Sequence, residues 1–580
     1  MRRALVAVVL LVATTTVVPG GSSLAAASSV WVHAFGTAID HGEPVPVPRE
    51  VVDVEASPSG SGYWLAAADG SVFGFGGVGY FGSMGAHRLR APIVDLTATP
   101  SGRGYWLTGS GGSVFGFGDA PYAGSMGGQP LASPVVALAR TPSGSGYLMA
   151  ALDGSVFGFG DAVYAGSMGG RPLGSPIVDL VVSSTGRGYW LVAADGSVFG
   201  FGDALYAGSG YGASPSPVTS MARTSTGAGY WLLRVDGSIA AFGDATPMGS
   251  AAGTMQPEAA AVGLAATPDG KGYWIASTPG AVRISATGDI HGEARVRSLL
   301  NAGGNPLAHV AATLSSDDVT VVNLETPVGA PGRPEQKTYV FLAPESLLPA
   351  LETGGVEVVG IANNHGMDHG VGTMLQTLDL ARRAGLGIVG GGRNRAEAYQ
   401  AKFLRARGRT VAVVGLTRVL SAGWDATATR AGLASAYDEA AAVDAVRTAQ
   451  AFADVVVVTI HWGVEMARCP DAHQRRLARL MVDAGADVIA GHHPHVLQGL
   501  DPGPRAAVAY SLGNFVWYHS SPPTGTTAIL RTEHPPAGGV RAEVLPARID
   551  ASGSPRLLSG SEAQAVKNEV ASLQPGYGRC

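Results

Sequence analysis

The sequence predicts two folded parts, an all-β six-bladed propeller followed by an α/β domain. A repeat of about 42 residues runs through the first half of the chain and stops near residue 280. Beyond that point strand and helix patterns alternate, and five strands end in Asp, Asn, Glu or His. We expect residues 28–280 to form the repeat, 281–560 the α/β domain and 561–580 a C-terminal tail.

The composition indicates a folded protein with no nucleic-acid partner. Hydrophobic residues make up 46% of the 580 residues and charged residues only 14%, which excludes a disordered or highly charged chain. The net charge is −5 and basic residues form no run, so no nucleic-acid surface is indicated. The 84 glycines are typical of an all-β repeat with many tight turns.

The first 27 residues read as a secretory signal peptide. Arg2 and Arg3 precede an apolar run that ends near Val18, and small residues follow at Ala25-Ala26-Ala27. We therefore expect a bacterial protein that is secreted or associated with the outside of the cell envelope, with no transmembrane segment after cleavage. An uncleaved anchor is the alternative, although the apolar run is short for a membrane span.

Two cysteines, Cys469 and Cys580, are compatible with one disulfide in an exported protein. Two free or buried thiols are the alternative.

Each repeat carries the same aromatic landmarks. A Tyr that follows a Gly recurs at Tyr63, Tyr105, Tyr147, Tyr189, Tyr230 and Tyr273, and a Phe recurs at Phe75, Phe117, Phe159, Phe201 and Phe242. Asp-Gly pairs between these landmarks indicate hairpins, because a tight turn needs a positive φ. One repeat thus reads as four strands, for which the second gives Ile93–Thr97, Gly104–Thr108, Ser113–Phe117 and Pro121–Ser125.

The two ends of the repeat predict that it closes on itself. Residues Val30–Gly36 resemble the third strand of a blade, whereas Gly272–Ser277 form only a second strand. Pairing of these ends would complete a sixth blade and remove exposed sheet edges. An open β-solenoid is the alternative. The repeated aromatic residues are expected to pack blade against blade, with sugar stacking as the competing interpretation.

The second part places polar side chains where its predicted strands end. The strands read as Val282–Ala286, Val319–Val322, Val356–Ile361, Thr410–Val414, Val455–Ile460 and Asp487–Ala490, with helices within Gly372–Ala384, Tyr437–Phe452 and Ala472–Ala484. Such alternation predicts a largely parallel or mixed buried sheet. Because open α/β sheets carry their sites at the carboxyl ends of strands, these polar side chains are expected to converge.

Eleven of the 14 histidines lie from His291 onward, and the oxygen and imidazole ligands without a thiolate cluster suit Zn, Mn or Fe. A lone histidine at a strand end is more often a hydrogen-bonded structural residue, but five such strand ends in one domain favour a metal site. Histidines without that placement are expected at the surface or just outside the site, namely His309, His369, His473, His519 and His534.

A series of motifs runs along the second part, between about residues 282 and 515. In order they are G-D-I-H, N-L-E-T-P, A-N-N-H-x-x-D-H-G, H-W-G-x-E, G-H-H-P-H-V-L-Q and Y-S-L-G-N-F. This series resembles the CapA (poly-γ-glutamate synthesis) family. That family is similar in turn to calcineurin-like metallophosphoesterases. The resemblance therefore implies a metallophosphoesterase-type fold around one or two divalent metal ions.

The resemblance also implies roles for individual residues. Asp289, His291 and His495 would bind one metal, and Asn364, His461 and His493 a second. His365 would be the leaving-group acid, oriented by Asp368. Glu325 stands where the phosphoesterases have a bridging Asp, which leaves open a bridge or a single-metal site. Four further positions are expected to line a substrate pocket, namely Asn363, Glu465, His492 and Asn514.

Three functions are compatible with these observations. The first is a secreted metal-dependent hydrolase that acts on a cell-envelope or capsule polymer, at a phosphoester or at an amide such as that of poly-γ-glutamate. The second is a noncatalytic metal-binding component of capsule-polymer synthesis or export. In the third, the propeller is the functional part and binds the cell envelope, and the second domain is a degenerate enzyme. The near-complete set of metal ligands argues against this third function.

Overall fold

The computed structural model describes residues 30–43, 50–87, 89–129, 131–256, 259–407, 409–503, 505–536, 538–575 and 580. The predicted signal peptide, residues 1–27, lies outside these residues. Within the described part of the chain, no helix is both long enough and apolar enough to cross a bilayer.

Six antiparallel sheets of three strands each make up the first half of the described chain. Five sheets use three consecutive strands, and the sixth joins the two ends of the repeat. The strands are β1 (Trp31–Gly36), β2 (Val51–Ala56), β3 (Gly62–Ala67), β4 (Val72–Gly76), β5 (Ile93–Ala98), β6 (Gly104–Gly109), β7 (Val114–Gly118), β8 (Val135–Arg140), β9 (Tyr147–Ala151), β10 (Val156–Phe159), β11 (Ile177–Val182), β12 (Tyr189–Ala193), β13 (Val198–Phe201), β14 (Val218–Arg223), β15 (Tyr230–Arg234), β16 (Ile239–Phe242), β17 (Ala259–Ala266) and β18 (Gly272–Pro279).

The predicted fourth strand of each repeat is not formed as a strand. In the second repeat, the segment Pro121–Ser125 pairs with no strand, and aromatic side chains bind its backbone instead. The Tyr147 hydroxyl accepts hydrogen bonds from the N–H groups of Ala123 and Gly124, both at 3.1 Å. The Trp106 indole donates to the Pro121 carbonyl at 2.8 Å. Because these polar groups already have partners, no ladder is needed to satisfy them.

The predicted pairing of the two ends of the repeat is confirmed. β1 pairs antiparallel with β18 from Trp31 opposite Ser277 to Gly36 opposite Gly272, so β1 occupies the third-strand position of the sixth sheet. The first strands of the six sheets are β2, β5, β8, β11, β14 and β17. Each of them contacts the next, and β17 contacts β2. We call these six strands the inner ring.

The repeated aromatic residues pack sheet against sheet, as predicted. Trp64 lies against Tyr105 of the next sheet with ring centroids 5.8 Å apart, and Trp231 lies against Tyr273 in the same way. Trp274 of the sixth sheet contacts Tyr63 of the first at 5.4 Å. These side chains are at most 1% exposed. Aromatic pairs of this geometry stabilise beyond the area they bury.

Three aspartates of the inner ring line a cavity of about 50 Å³ at one end of the ring. Asp53, Asp95 and Asp179 each accept a hydrogen bond from a backbone N–H of a neighbouring sheet. The second half of the chain covers this end with Arg405 and Arg407. Burial is the main cause that raises the pKa of Asp95 to about 8 and that of Asp179 to about 6. Burial also raises the pKa of Glu55, deeper in the ring, to about 7.

The stability of the repeat is therefore expected to fall as the pH rises from about 4 to about 8. In that window the unfolded chain has released these protons while the folded chain still holds them, so folding becomes less favourable. We expect the melting temperature of the repeat to drop by roughly 3–10 °C. Calorimetry of the full chain across this pH range measures the drop. Asp95→Asn should reduce it, whereas Asp236→Asn in an exposed turn should not. An unchanged slope in Asp95→Asn would contradict the assignment.

The second half is an α/β part with sixteen strands and eight helices in the described residues. The strands are β19 (Val282–Ile290), β20 (Val319–Leu324), β21 (Val358–Gly360), β22 (Gly387–Val389), β23 (Gly391–Gly392), β24 (Lys402–Ala406), β25 (Arg409–Thr417), β26 (Gly432–Leu433), β27 (Val455–His461), β28 (Val488–His492), β29 (Leu500–Pro502), β30 (Ala507–Ala509), β31 (Asn514–Val516), β32 (Thr526–His534), β33 (Arg541–Ile549) and β34 (Pro555–Leu557). The helices are α1 (Arg295–Asn301), α2 (Ala311–Leu314), α3 (Leu347–Thr353), α4 (Gly370–Arg383), α5 (Arg395–Ala398), α6 (Glu439–Gln450), α7 (Ala472–Asp483) and α8 (Gly560–Ser572).

Two sheets, and not the single sheet expected, form the centre of this part. One sheet has the order β22-β21-β20-β19-β32-β33-β34 with β31 beside β19, and the other has the order β24-β25-β27-β28-β30-β29. They face each other across a valine-rich core that includes Val321, Val413 and Val457. Helices α3 and α4 cover the outer face of the first sheet, and α6 and α7 that of the second. Strands buried on both faces explain the continuous apolar runs.

The predicted disulfide is confirmed. Cys469 and Cys580 are bonded, with their Cα atoms 5.4 Å apart, and the bond joins residues separated by 111 positions. It ties the last residue to the loop that follows β27. The described residues contain no free cysteine.

Replacing Cys469 with serine is expected to destabilise the α/β part by about 2–5 kcal/mol, because the bond limits the entropy of the unfolded chain. Denaturant unfolding of the oxidised protein and of the variant measures the difference. Thiol titration of the denatured, unreduced wild-type protein should find no free thiol, and two free thiols would contradict the bond.

Candidate metal centre

The cluster of acidic and imidazole side chains lies where the two sheets meet at the carboxyl ends of their strands. Asp289 lies at the end of β19 and Glu325 directly after β20, both in the first sheet. His461 and His492 end β27 and β28 of the second sheet, and His493 and His495 follow β28. All of these except His495 are at most 6% exposed.

Glu325 is at the centre of this cluster. Its Oε1 lies 3.5 Å from His461 Nε2 and 3.9 Å from His495 Nε2. Neither carboxylate oxygen has a hydrogen-bond partner, although the side chain is fully buried. Burial, together with the neighbouring charges of Asp289 and Glu465, raises the pKa of Glu325 well above its ordinary value. A buried carboxylate without a partner is costly unless a proton or a cation compensates it.

Asp289 is held by several neighbours. Its Oδ1 accepts from the Asn323 amide at 2.8 Å and lies 3.3 Å from His492 Nδ1, while Oδ2 lies 3.2 Å from His495 Nδ1. Burial alone would raise the pKa of Asp289, but the contacts with the two histidines hold it well below its ordinary value.

Several imidazoles are kept neutral with a free nitrogen. His461 Nε2 and His493 Nδ1 are buried and have no hydrogen-bond partner. Burial first, and then the charge of nearby histidines, lowers the pKa of His461 well below its usual range and that of His493 to about 4. A neutral imidazole with an available lone pair is the form that binds metals.

Backbone strain coincides with the cluster. His493 and His495 have φ values of 94° and 57°, in the left-handed region that non-glycine residues rarely adopt. Such strain is retained only where the surroundings impose it, and it concentrates at functional sites.

Two groups of three possible metal-ligand residues share Glu325. The first consists of Asp289, Glu325 and His495, and the second of Glu325, His461 and His493. Within each group, one ligand atom from each residue lies within 4.8 Å of the others. Buried oxygen and nitrogen atoms without partners fit one or two divalent cations, because a cation would satisfy all of them at once.

His365 lies beside this cluster. Its Nδ1 is 2.7 Å from Asp368 Oδ2, and its Nε2 is directed at the cluster, 3.9 Å from Glu325 Oε1. The ring stacks on Phe341 with centroids 4.2 Å apart. Asp368 is fully buried and also accepts from the Phe341 N–H at 2.7 Å. The carboxylate therefore fixes the orientation of the imidazole.

The sequence family described as Bacterial capsule synthesis protein PGA_cap matches residues 283–519. The Capsule biosynthesis protein CapA of Bacillus anthracis is 32% identical over 287 residues, which is 48% of this chain and 70% of that protein.

This chain belongs to the CapA capsule-synthesis family.

Other relatives agree with that assignment. The PGA biosynthesis protein CapA of Bacillus subtilis is 34% identical over 244 residues, which is 42% of this chain but less than two thirds, 64%, of that protein. A Probable polyglutamine synthesis accessory protein of Mycobacterium tuberculosis is 25% identical over 284 residues, which is 46% of this chain and 74% of that protein. All these matches leave more than half of this chain outside the aligned region.

Two other residues expected as metal ligands in this CapA-family chain, His291 and Asn364, differ in whether their polar atoms already have partners. His291 Nδ1 accepts from the Glu293 N–H at 2.9 Å, and its Nε2 faces the Tyr518 N–H at 3.3 Å, so both nitrogens point at backbone groups. Asn364 has a buried side-chain oxygen without a partner.

The four expected pocket residues are mostly buried supports. Asn363 donates to Asn323 and to the Leu324 carbonyl. His492 contacts Thr459, and Asn514 contacts His495 Nδ1 at 2.9 Å. Only Glu465 is exposed, and it lies within reach of His493 and His495.

The remaining histidines lie outside the cluster. His309, His473 and His519 are exposed and His369 is half-buried. His534 is buried on β32, where it contacts Thr532 at 2.9 Å, so it is neither a surface residue nor part of the site.

Two residues near the cluster were given no role by the sequence: Asn323 was predicted only as a strand-end polar residue, and Lys337 was not predicted at all. Asn323 donates to Asp289 and lies 3.3 Å from His461 Nδ1, which links the two sheets. Lys337 Nζ lies 2.5 Å from Asp368 Oδ1 and 3.3 Å from His365 Nδ1. Asn323 lies in the motif that contains Glu325, but Lys337 lies in an irregular loop where no periodicity marks it.

Proposed function

We propose that this CapA-family protein is an exported metal-dependent hydrolase of a cell-envelope or capsule polymer. The observation that carries the proposal is the buried Glu325 carboxylate. It belongs to both groups of possible metal-ligand residues, and neither of its oxygens has a hydrogen-bond partner among the described residues. The relatives are named for capsule, PGA and polyglutamine synthesis, and we take a capsule polymer that carries carboxylate groups as the substrate class.

In this proposal Asp289 and His495, with His291 beside them, would hold one Zn, Mn or Fe ion. His461, His493 and Asn364 would hold a second, and Glu325 belongs to both groups of ligands. Divalent cations in such a site supply Lewis acidity to the scissile group. The absence of thiolate ligands among the described residues favours these metals over softer ones.

The residues of the chain supply the remaining chemistry. His365 in its doubly protonated form would donate a proton from Nε2 to the leaving group and be left neutral, while Asp368 holds the imidazole in place through Nδ1. Lys337 neutralises part of the charge of Asp368. Glu465, at the exposed side of the cluster, faces the space from which a polymer would approach.

In the proposal the chain consists of an export signal, a propeller and a metal-binding domain. Residues 28–280 form a closed six-bladed propeller, which the contact between β17 and β2 favours over an open solenoid. Residues 281–560 form the metallophosphoesterase-type domain. The expected tail begins with helix α8, which packs against this domain through Val566 and Val570, and ends at Cys580 in the disulfide. Residues 1–27 direct export, so the protein acts outside the cytoplasm at the envelope.

Elemental analysis of the purified full chain, followed by hydrolysis assays, tests the proposal. We expect one or two equivalents of Zn, Mn or Fe and cleavage of either a phosphoester or a γ-glutamyl polymer. Metal without turnover on either substrate would replace hydrolysis by a noncatalytic role in polymer synthesis or export. Absence of metal after reconstitution with all three ions would overturn both functions.

A further inference from the structure

The end of the inner ring away from the metal-bearing part carries two arginines that form no ion pair with a described residue. Arg140 ends β8 and Arg223 ends β14, and both are half-buried. Each pairs in register with the repeated Tyr of its sheet, Arg140 with Tyr147 and Arg223 with Tyr230. The two side chains therefore occupy the same position in the third and fifth sheets.

Small residues occupy this position in the other four sheets, namely Ala56, Ala98, Val182 and Ala266. None of them fills the space that an arginine would. The two long cationic side chains thus stand opposite short apolar side chains at the equivalent position of the other four sheets.

The opposite end of the ring is the one that the α/β part covers. Arg405 and Arg407 lie there, against the cavity lined by Asp53, Asp95 and Asp179. Arg223 lies three residues beyond the cavity-lining Ser220, which corresponds to about 10 Å along a strand. Among the described residues, the α/β side chains that line this cavity therefore lie at the end of the ring opposite to Arg223.

The guanidinium groups have few partners. Arg140 Nη1 donates to the Thr141 carbonyl at 3.4 Å, and Arg223 Nη1 donates to the Thr224 carbonyl at 3.0 Å. Among the described residues, no carboxylate lies within 4.0 Å of either guanidinium. The charge of Arg140 lowers the pKa of Glu55 in part, against the larger effect of burial. The Oε1 atom of Glu55 accepts a hydrogen bond from the Ala98 N–H at 3.0 Å.

The two like charges also oppose each other. Burial, and then the charge of Arg140, lowers the pKa of Arg223. Each guanidinium has five N–H donors in a planar fork that matches a carboxylate or phosphate. An anion that binds both guanidinium groups would offset their mutual repulsion.

We propose that this end of the inner ring is an anion-binding site in which Arg140 and Arg223 hold the carboxylate groups of an acidic polymer. The choice of a polymer rests on the proposed function, whereas the anion site rests on the two arginines alone. The ring then anchors the chain of the polymer at a distance from the metal centre.

Binding of fluorescently labelled poly-γ-glutamate to the full-length protein, measured by anisotropy at low salt, tests this site. Replacing both arginines by glutamine (Arg140→Gln with Arg223→Gln) is expected to weaken binding about ten- to hundredfold. The matched control is Arg103→Gln with Arg187→Gln, which removes the same charge from exposed turns and should change affinity less than about twofold. Equal losses in the two pairs, or no loss in the first, would overturn the proposal.

Two further arms complete the test. The double variant Arg140→Lys with Arg223→Lys keeps both charges but loses the planar guanidinium groups, so it should fold and bind the polymer with intermediate affinity. If the double glutamine variant fails to fold, wild-type affinity in the lysine variant overturns the proposal. Free glutamate or inorganic phosphate that binds as tightly as the polymer would overturn the polymer assignment. A metal-stripped His461→Ala protein should still bind the polymer through the arginines, so loss of hydrolysis and loss of this site are distinguishable.

Discussion

Replacing His461 with alanine is expected to remove the bound divalent metal and the hydrolytic activity together. His461 Nε2 is fully buried, has no hydrogen-bond partner and lies 3.5 Å from Glu325 Oε1. Without this imidazole, the group of Glu325, His461 and His493 keeps only two of its three possible metal-ligand residues. Loss of a ligand should weaken metal binding by more than about 100-fold, since even the partners of ligands contribute 10- to 100-fold.

The measurement is the metal content of purified protein after dialysis, with turnover followed in parallel. His473→Ala is the matched control, because His473 is an exposed histidine of helix α7 outside the cluster. We expect the control to keep both metal and activity. A His461→Ala protein that retains stoichiometric metal would contradict the assignment of this residue. Loss of metal in the control would point instead to a general defect in folding.

Replacing His365 with asparagine is expected to leave the metal in place and to lower turnover by about 10²- to 10⁴-fold. His365 lies beside the two ligand groups and contacts them only through the 3.9 Å approach of its Nε2 to Glu325. Its Nδ1 is engaged by Asp368. The side chain therefore presents one nitrogen to the cluster, in the position of a proton donor, and is not needed to hold a cation.

The comparison of kcat and metal content in His365→Asn separates these roles. His369→Asn is the control, since His369 is four residues away and its Nδ1 faces the Gly332 carbonyl at 3.4 Å, outside the cluster. We expect that variant to match the wild-type protein in both readouts. Loss of metal in His365→Asn would make this residue a ligand, and unchanged turnover would exclude it as the acid.

The sequence by itself determined the local elements of this protein. Apolar runs such as Val455–Ile460 predicted β27 almost to the residue, because a strand buried on both faces needs a continuous apolar run. The repeat spacing predicted six sheets and the pairing of β1 with β18, since an unmatched half-blade at each end requires a partner. The motif residues Asp289, Glu325, His461, His493 and His495 were all identified from strand ends.

Only the tertiary structure decided how these elements meet. The strands that carry the cluster divide between two facing sheets, and strand patterns do not specify which strands become neighbours. His291 illustrates the same limit, because the backbone groups of Glu293 and Tyr518 that face its two nitrogens are set by packing. Arg140 and Arg223, which form no ion pair with a described residue, are separated by 83 residues, and only closure of the inner ring places both at one end of it.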